Sequence, residues 1–523
     1  MSVLPTGLLL AQTNTGSNMS YIILILIAAI IFLAAVYIVT ENLIDISAAK
    51  SGTSVSGGSS GLLKPKAPKY VDGPFVQLKK GHDINLEGKI LSDEVADVSV
   101  STYAIQPPNF VGMSPIPKLT VDQGDEVKAG DQIFFDKKRP AIKYVAPVSG
   151  EIVAINRGEK RSIAEVVILA DKEQQYRALD SIDLDTISRD DLVAFLLDCG
   201  AWPMIRQRPF NIVADEKIVP TNIFISTFDT APLAPDLSIA VKGNEQAFAT
   251  GIKLLSKLTT GDVHLGLSAN GKAPTAEIFG NVDHTKKHWF AGPHPAGNVG
   301  VQIHHIKPVS AASPAWTLGV QEVITLGKLI NASRFDVSRI VAITGESVVK
   351  PKYVRVIQGA KISDLLADQQ VPDDARCISG DVLAGTRKLP EGFLNYYDDQ
   401  LTVIPEGKHF QLLGWLTPFK MQPTVSKALP AYYLNSTFKV DTNTYGEERA
   451  FVVTGQYERM LPMDIYPQHL MKAILIRDFE KMEGLGIYEL VEEDVALCEF
   501  ACTSKQPLQH ILRSGLNVML EQG

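Results

Sequence analysis

Four cysteines in 523 residues, at 199, 377, 498 and 502, are too few and too scattered for a disulfide framework. They also exclude an iron–sulfur centre, which needs four thiolates, commonly in a C-x2-C-x2-C-x3-C run. Only Cys498 and Cys502 are closely spaced, and on a helix they would offer one face with two ligands missing, which fits buried structural thiols. The chain also lacks G-x-G-x-x-G, the loop whose backbone N–H groups hold a dinucleotide pyrophosphate at a helix N-terminus. Gly266 to Lys272 has P-loop spacing, but Ala273 stands where Ser or Thr would ligate magnesium and Pro274 obstructs the following helix. Basic residues are outnumbered 50 to 58 and are not clustered, so no nucleic-acid partner is expected. No metal site is expected either. His284 and His288 could share a zinc ion on a helix but have no third ligand, and His304 and His305, neighbours on an expected strand, would point to opposite faces.

Charge is missing from one region altogether. The first 40 residues hold no Asp, Glu, Lys or Arg, and within them 21–40 reads YIILILIAAIIFLAAVYIVT. As a helix this run would span about 30 Å, with Tyr21 and Tyr37 near the headgroups. Nothing basic precedes it, whereas Lys50, Lys64, Lys66 and Lys69 follow, which places the large C-terminal part in the cytoplasm. The Ser51–Gly61 stretch SGTSVSGGSSG reads as a flexible tether; about 20 such residues reach roughly 25 Å.

Beyond residue 70 the chain reads as a multidomain α/β protein. Short alternating strands with turns at Gly124–Asp125, Gly130–Asp131 and Ser149–Gly150 resemble the two halves of a biotinyl/lipoyl-type β-domain over 71–174. The lysines in the carrier position, Lys137 and Lys138, have no flanking methionine, which favours a scaffold over a carrier. From 175 to 333, strands at 218–226 and 263–267 alternate with a helix over 245–259 that puts Phe248, Ile252, Leu255 and Leu258 on one face. That alternation predicts a Rossmann-like open sheet without a nucleotide motif. A module over 334–430 follows, with strands at 340–343 and 354–357 and a short helix over 362–367. The last part, 431–523, is expected to be helical over 468–481, 492–500 and 508–520.

The most informative stretch runs from Phe290 to Gly300, where Gly292, Pro293, His294, Pro295 and Gly297 form a tight loop before the run Val301–Gln302–Ile303–His304–His305, which reads as a strand. With Lys79–Ile84, Val111–Met113, Arg206–Phe210, Ile378–Gly380 and Gly414–Trp415, it resembles the A-type subunit of the sodium-translocating NADH:quinone reductase. The resemblance covers about Val76 to the C-terminus, and it marks the module at 334–430 as β-grasp-like. Members of this family sit on the membrane complex and begin near Phe75, so the N-terminal span is an addition. The resemblance implies a respiratory complex of the bacterial inner membrane. In it electrons pass from NADH, through flavins and iron–sulfur centres on partner subunits, to ubiquinone or menaquinone, while sodium is exported. It implies no stand-alone catalytic residues in this chain.

Related flavin-binding subunits carry a glycine-rich loop that resembles the chain near Asp198–Cys199–Gly200. Here Trp202 and other bulky residues stand where glycine would let a flavin phosphate approach. An apolar quinone pocket remains, needing aromatic and aliphatic walls with one or two polar groups. Phe110, Val111, Gly112 and Met113 fit that composition, as do Trp202, Arg206, Arg208 and Phe210, segments that the resemblance associates with quinone-type ligands. Two alternatives stay open: a redox protein like the C-type subunit of electron-transport complexes, and a non-redox biotinyl-type carrier or scaffold.

Overall fold

The computed structural model describes residues 22–33, 36, 67–271, 277–408, 422–426 and 437–522. The chain divides into two units, Met1–Ala67 and Pro68–Gly523. In the first, 22–33 is helical and exposed; the rest of the expected 21–40 span, except residue 36, lies outside the described residues, as do the basic positions 50, 64 and 66. Among the described residues no helix is long and apolar enough to cross a membrane.

Among the described residues the second unit is built on four sheets. A seven-stranded sheet runs in the order Phe75–Gln77, Thr285–Ala291, Asp262–Ser268, Asn222–Ser226, Ala315–Thr317, Arg206–Arg208, Ile212–Val213, with its first five strands parallel. The chain order reverses between Asn222–Ser226 and Ala315–Thr317, the type of switch point at which open α/β sheets leave a crevice. A four-stranded and a three-stranded antiparallel sheet form the body of residues 102–170, and a six-stranded mixed sheet is centred on Ser338–Thr344. The N-terminal segment stitches these bodies together. Phe75–Gln77 is an edge of the first sheet, paired with Trp289–Ala291, and Val95–Asp97 is an edge of the last, paired with Tyr353–Arg355.

The Glu245–Leu258 helix forms as its apolar spacing requires, with Phe248, Ile252, Leu255 and Leu258 fully buried. It packs on the Val320–Ala332 helix through Gly251 and Gly327. A Cβ on Gly251 would lie 2.1 Å from the Val323 carbonyl oxygen, and one on Gly327 would lie 1.7 Å from that of Ala247. Only glycine admits so close a seam.

Two expectations give way to tertiary structure. Val301–His305 is not a strand but part of a helix, Val299–Ile306. Its alternation of apolar and polar residues reads as period two, yet Gln302 is buried and needs partners, which it reaches outside the helix. Gln302 Nε2 donates to Ser226 Oγ (2.9 Å) and to the Ala296 carbonyl (3.2 Å). The helix expected over 468–481 breaks into Pro467–Leu475 and Phe479–Gly484. Arg477 turns left-handed at φ 55°, and Asp478 caps the second piece by accepting from the Lys481 N–H. The Glu492–Ala501 and Leu508–Gln522 helices then close a separate apolar cluster with Leu78, Ile84, Phe290 and Val301.

Candidate functional site

The loop at 292–298 is anchored from several sides. The His294 N–H donates to Asp83 Oδ1 (2.8 Å), and the His82 N–H donates to the His294 carbonyl (2.9 Å), so two sequence blocks far apart in the chain meet directly. Gly81, at φ +119°, permits this, since a Cβ there would lie 2.2 Å from the same carbonyl. Gly292, Pro293, His294, Pro295 and Gly297 thus serve as a clasp. Asn270 exchanges two hydrogen bonds with Gly292, and the Gly297 N–H donates to Thr230 Oγ1. Burial pushes the His294 imidazole down to about 4, and its Nε2 has no hydrogen-bond partner among the described residues.

The two histidines of the following helix tether the C-terminal helices. His304 Nε2 accepts from the Asp464 N–H (3.0 Å), so its proton lies on Nδ1 and is donated to Glu489 Oε2 (2.7 Å); His305 Nε2 donates to the Pro462 carbonyl (2.8 Å). His284 and His288 do not share a helix, because Thr285–Ala291 is a strand. Instead His288 Nε2 bonds His264 Nδ1 (2.9 Å), and His264 Nε2 bonds Asn222 Oδ1 (3.0 Å). No group of three or more metal-ligating side chains occurs among the described residues. Gly266 is a close-approach glycine, since a Cβ there would meet Gln302 Oε1 at 1.8 Å; residues 272–276 of the P-loop-like stretch lie outside the described residues.

The His264 pair gives the protein a calculable acid sensitivity. Burial, then the neighbouring His288, pushes His264 down to about 4, against about 6.5 for an unfolded imidazole. The unfolded chain therefore takes up the proton first, and stability present above pH ~6.5 is lost as the pH falls toward about 4, by on the order of 3 kcal/mol. Chemical denaturation at pH 7 and pH 4.5 should show this loss, and a His264→Gln variant should reduce it.

An aromatic pocket lies where the 102–170 body, the seven-stranded sheet and the 338–405 module converge. Its free interior is about 10 Å³, in a cleft that opens to solvent, and Gln106, Tyr144, Gly200, Pro203, Gln358 and Tyr396 are among its lining residues. Gly200, at φ +78°, allows the closest approach, since a Cβ there would lie 2.3 Å from Val145 Cγ1. Behind the wall, Phe110 packs against the rings of Tyr144 (4.5 Å), Tyr396 (4.8 Å) and Tyr397 (6.1 Å). The Tyr397 hydroxyl is spent on the Pro203 carbonyl (2.6 Å). Those of Tyr144 and Tyr396 have no hydrogen-bond partner among the described residues, although both residues are at least nine-tenths buried. Burial holds both phenols far above their ordinary range, so they remain donors at any ordinary pH.

The predicted quinone residues divide around this pocket. Phe110 supports its wall, and Arg206 reaches it by lying 4.8 Å over the Tyr397 ring. Trp202 is core, edge-on to Trp316 and bonded through Nε1 to the Ala214 carbonyl. Met113 packs on the same core, Val111 is half-buried and Gly112 is exposed. Arg208 and Phe210 face the C-terminal helices instead. Arg208 is buried between Asp494 (3.1 Å) and Glu493 (2.7 Å), and Phe210 lies edge-on to Tyr488. Tyr144, Tyr396 and Gln358 carried no local signal beyond the Tyr396–Tyr397 doublet, because the pocket is assembled from distant segments.

Three family descriptions match successive stretches: the NqrA N-terminal barrel-sandwich hybrid domain at residues 76–171, the NqrA second alpha/beta domain at 187–335, and the NQRA C-terminal domain at 340–388. The chain belongs to the NqrA family, the A-type subunits of Na(+)-translocating NADH-quinone reductase. It is 35% identical over 455 residues to the NqrA of Neisseria meningitidis serogroup B, and 36% identical over 453 and 458 residues to those of Yersinia pestis bv. Antiqua and Alcanivorax borkumensis. Each alignment covers 86% of this chain and 100% of the relative.

Proposed function

We propose that this chain is the quinone-contacting subunit of a sodium-translocating NADH:quinone reductase in a bacterial inner membrane. NADH oxidation, flavins and iron–sulfur centres belong to partner subunits in this reading, and ubiquinone or menaquinone is the ligand met here. The observation that carries it is the aromatic pocket with two unpartnered phenol hydroxyls, in a chain of this family. A quinone ring is flat and apolar, with two carbonyl acceptors at opposite ends. Phenols that stay protonated can donate to such acceptors, and aromatic walls can stack on the ring. Phe110 and Arg206 hold that wall, while Trp202 and Met113 pack in the adjoining core and Val111 and Gly112 lie nearer the surface. Arg208 and Phe210 hold the C-terminal helices in place behind it.

Titration of a short-chain ubiquinone into the detergent-solubilised chain tests the pocket. Tyr144→Phe and Tyr396→Phe should each weaken binding by about 2- to 13-fold, the loss of one net hydrogen bond of about 0.5–1.5 kcal/mol, without altering the fold. Unchanged affinity in the double variant would exclude this site. Co-purification of a flavin with the isolated chain would favour the alternative, a C-type redox protein of electron-transport complexes.

The N-terminal segment completes the proposal: 21–40 spans the membrane once and leaves residues 68–523 on the cytoplasmic side. Tyr70 and Asp72 already bond to Gly271 and Trp289 of the folded unit, so the cut belongs after Ala67. A chain lacking residues 1–67 should fold, remain in solution and restore quinone reduction when added in excess to the remaining complex. The anchor then acts through effective concentration, worth up to a few orders of magnitude in apparent affinity. No recovery at large excess would make the span part of the working machinery.

A further inference from the structure

Behind the aromatic pocket one cation faces two carboxylates. Arg339, on the Ser338–Thr344 strand, donates through Nη1 to the Tyr396 carbonyl (2.6 Å) and through Nη2 to Glu322 Oε1 (2.7 Å) on the Val320–Ala332 helix. The same Nη2 lies 2.7 Å from Asp399 Oδ1, but not in line, and among the described residues this oxygen accepts no hydrogen bond and Arg339 Nε donates none. Arg339 and Glu322 line a second, small cavity of about 10 Å³, together with Met204, Thr325 and Gln358. Gln358 also lines the aromatic pocket, and its Nε2 donates to the Tyr396 carbonyl that Arg339 holds. The two cavities therefore share one wall.

We propose that Asp399, sharing the Arg339 guanidinium with Glu322, holds an exchangeable proton behind this wall, and that quinone entering the aromatic pocket draws a proton onto the triad. The inference rests on the pocket taking a quinone. With both carboxylates ionised the triad carries one excess negative charge in a low-dielectric setting, and two like charges crowding one guanidinium favour protonation of one of them. Asp399 is the one to protonate, because Glu322 has the aligned hydrogen bond. Burial, opposed by Arg339 and reinforced by Glu322, raises its carboxyl, and the neighbouring Asp398 adds to the effect. Asp398 itself is satisfied by Ser379 Oγ and Asn395 Nδ2. The other groups facing the triad are Gln321, Tyr396 and Tyr397, the last under the Arg206 guanidinium. A ligand that displaces water from the pocket makes the ionised carboxylate costlier still. Neutral quinone thus binds best to the protonated triad, and a proton is taken up on binding when the triad was ionised before. Asp399 is a positioning residue acting through Tyr396.

Calorimetric titration of short-chain ubiquinone into the full chain tests this at pH 6 to 9, in two buffers of different protonation enthalpy. The expected result is uptake approaching one proton per quinone at the alkaline end, with affinity falling toward tenfold per pH unit there. Asp399→Asn should bind quinone with nearly pH-independent affinity and without this uptake. Glu322→Gln, which relieves the like-charge crowding, should move the break to lower pH; a purely structural role would not move it. Quinone binding with no buffer-dependent heat and a flat pH profile in the native chain would overturn the triad and leave the pocket standing. No quinone heat at any pH would overturn the pocket and the linkage together. Infrared titration of the ligand-free chain separates these cases, since a carboxylic C=O band lost in Asp399→Asn reports the proton without quinone, and absence of that band overturns the triad.

Discussion

Gly327→Leu should yield no folded α/β body. The Glu245–Leu258 and Val320–Ala332 helices touch backbone to backbone at two reciprocal points, Gly251 against the Val323 carbonyl and Gly327 against that of Ala247. A single Cβ at 1.7 Å from a carbonyl oxygen cannot be accommodated by a rotamer change; the helices must separate. Separation exposes the fully buried Phe248, Ile252 and Leu255, which carry about 1.5–3 kcal/mol of burial each. Gly327→Ala is expected to cost about 3 kcal/mol, at the upper end of ordinary overpacking, and the leucine variant more than about 5 kcal/mol. Urea denaturation would resolve the alanine variant, and soluble yield with loss of a cooperative transition would report the leucine one. Wild-type stability of Gly327→Leu would mean that the seam is looser than described.

Arg208→Ala is the second large effect. Among the described residues it removes the one cation paired with Asp494, whose carboxylate is fully buried, and the cation paired with Glu493. Breaking a buried ion pair from one side costs about 3–5 kcal/mol, because the partner remains unpaired. The loss should appear first at the seam with the C-terminal helices, where the Arg513 contacts to Glu492 and the Phe210 carbonyl and the His304 and His305 tethers are what remain. Limited proteolysis should then cut between residues 457 and 522 while the α/β body stays protected. Adding Asp494→Asn should recover part of the stability, since the amide needs no counter-charge. If the double variant is no better than Arg208→Ala, the cost lies in lost packing of the guanidinium and not in the orphaned carboxylate.

Local pattern carried much of the fold. The Glu245–Leu258 helix, the Asp262–Ser268 strand and the Leu508–Gln522 helix each follow from residues within one window. Where a buried polar residue decides, the window fails. Val301–His305 alternates like a strand, and only the partners of Gln302, contributed by Ser226 and Ala296, make a helix the better solution. The residues expected to meet a quinone do not stay together. Phe110 and Arg206 stand at the aromatic wall, but Arg208 carries the same residue type two positions along the same strand and is consumed by Asp494. Composition could not distinguish them, because the difference lies in which side chain, far along the chain, comes to face each one: Tyr397 for Arg206 and Asp494 for Arg208.

The edge strands at Phe75–Gln77 and Val95–Asp97 also set a timetable for synthesis. Their partners, Trp289–Ala291 and Tyr353–Arg355, are made more than two hundred residues later. At translation rates of about 5–20 residues per second, Phe75 waits roughly ten to forty seconds on the ribosome before its partner strand exists. Through that interval the segment ahead of the first β-body has no sheet to join, while the body behind it can already close. Expressing the bodies as separate cassettes would make that delay permanent, leaving two sheets each short of an edge.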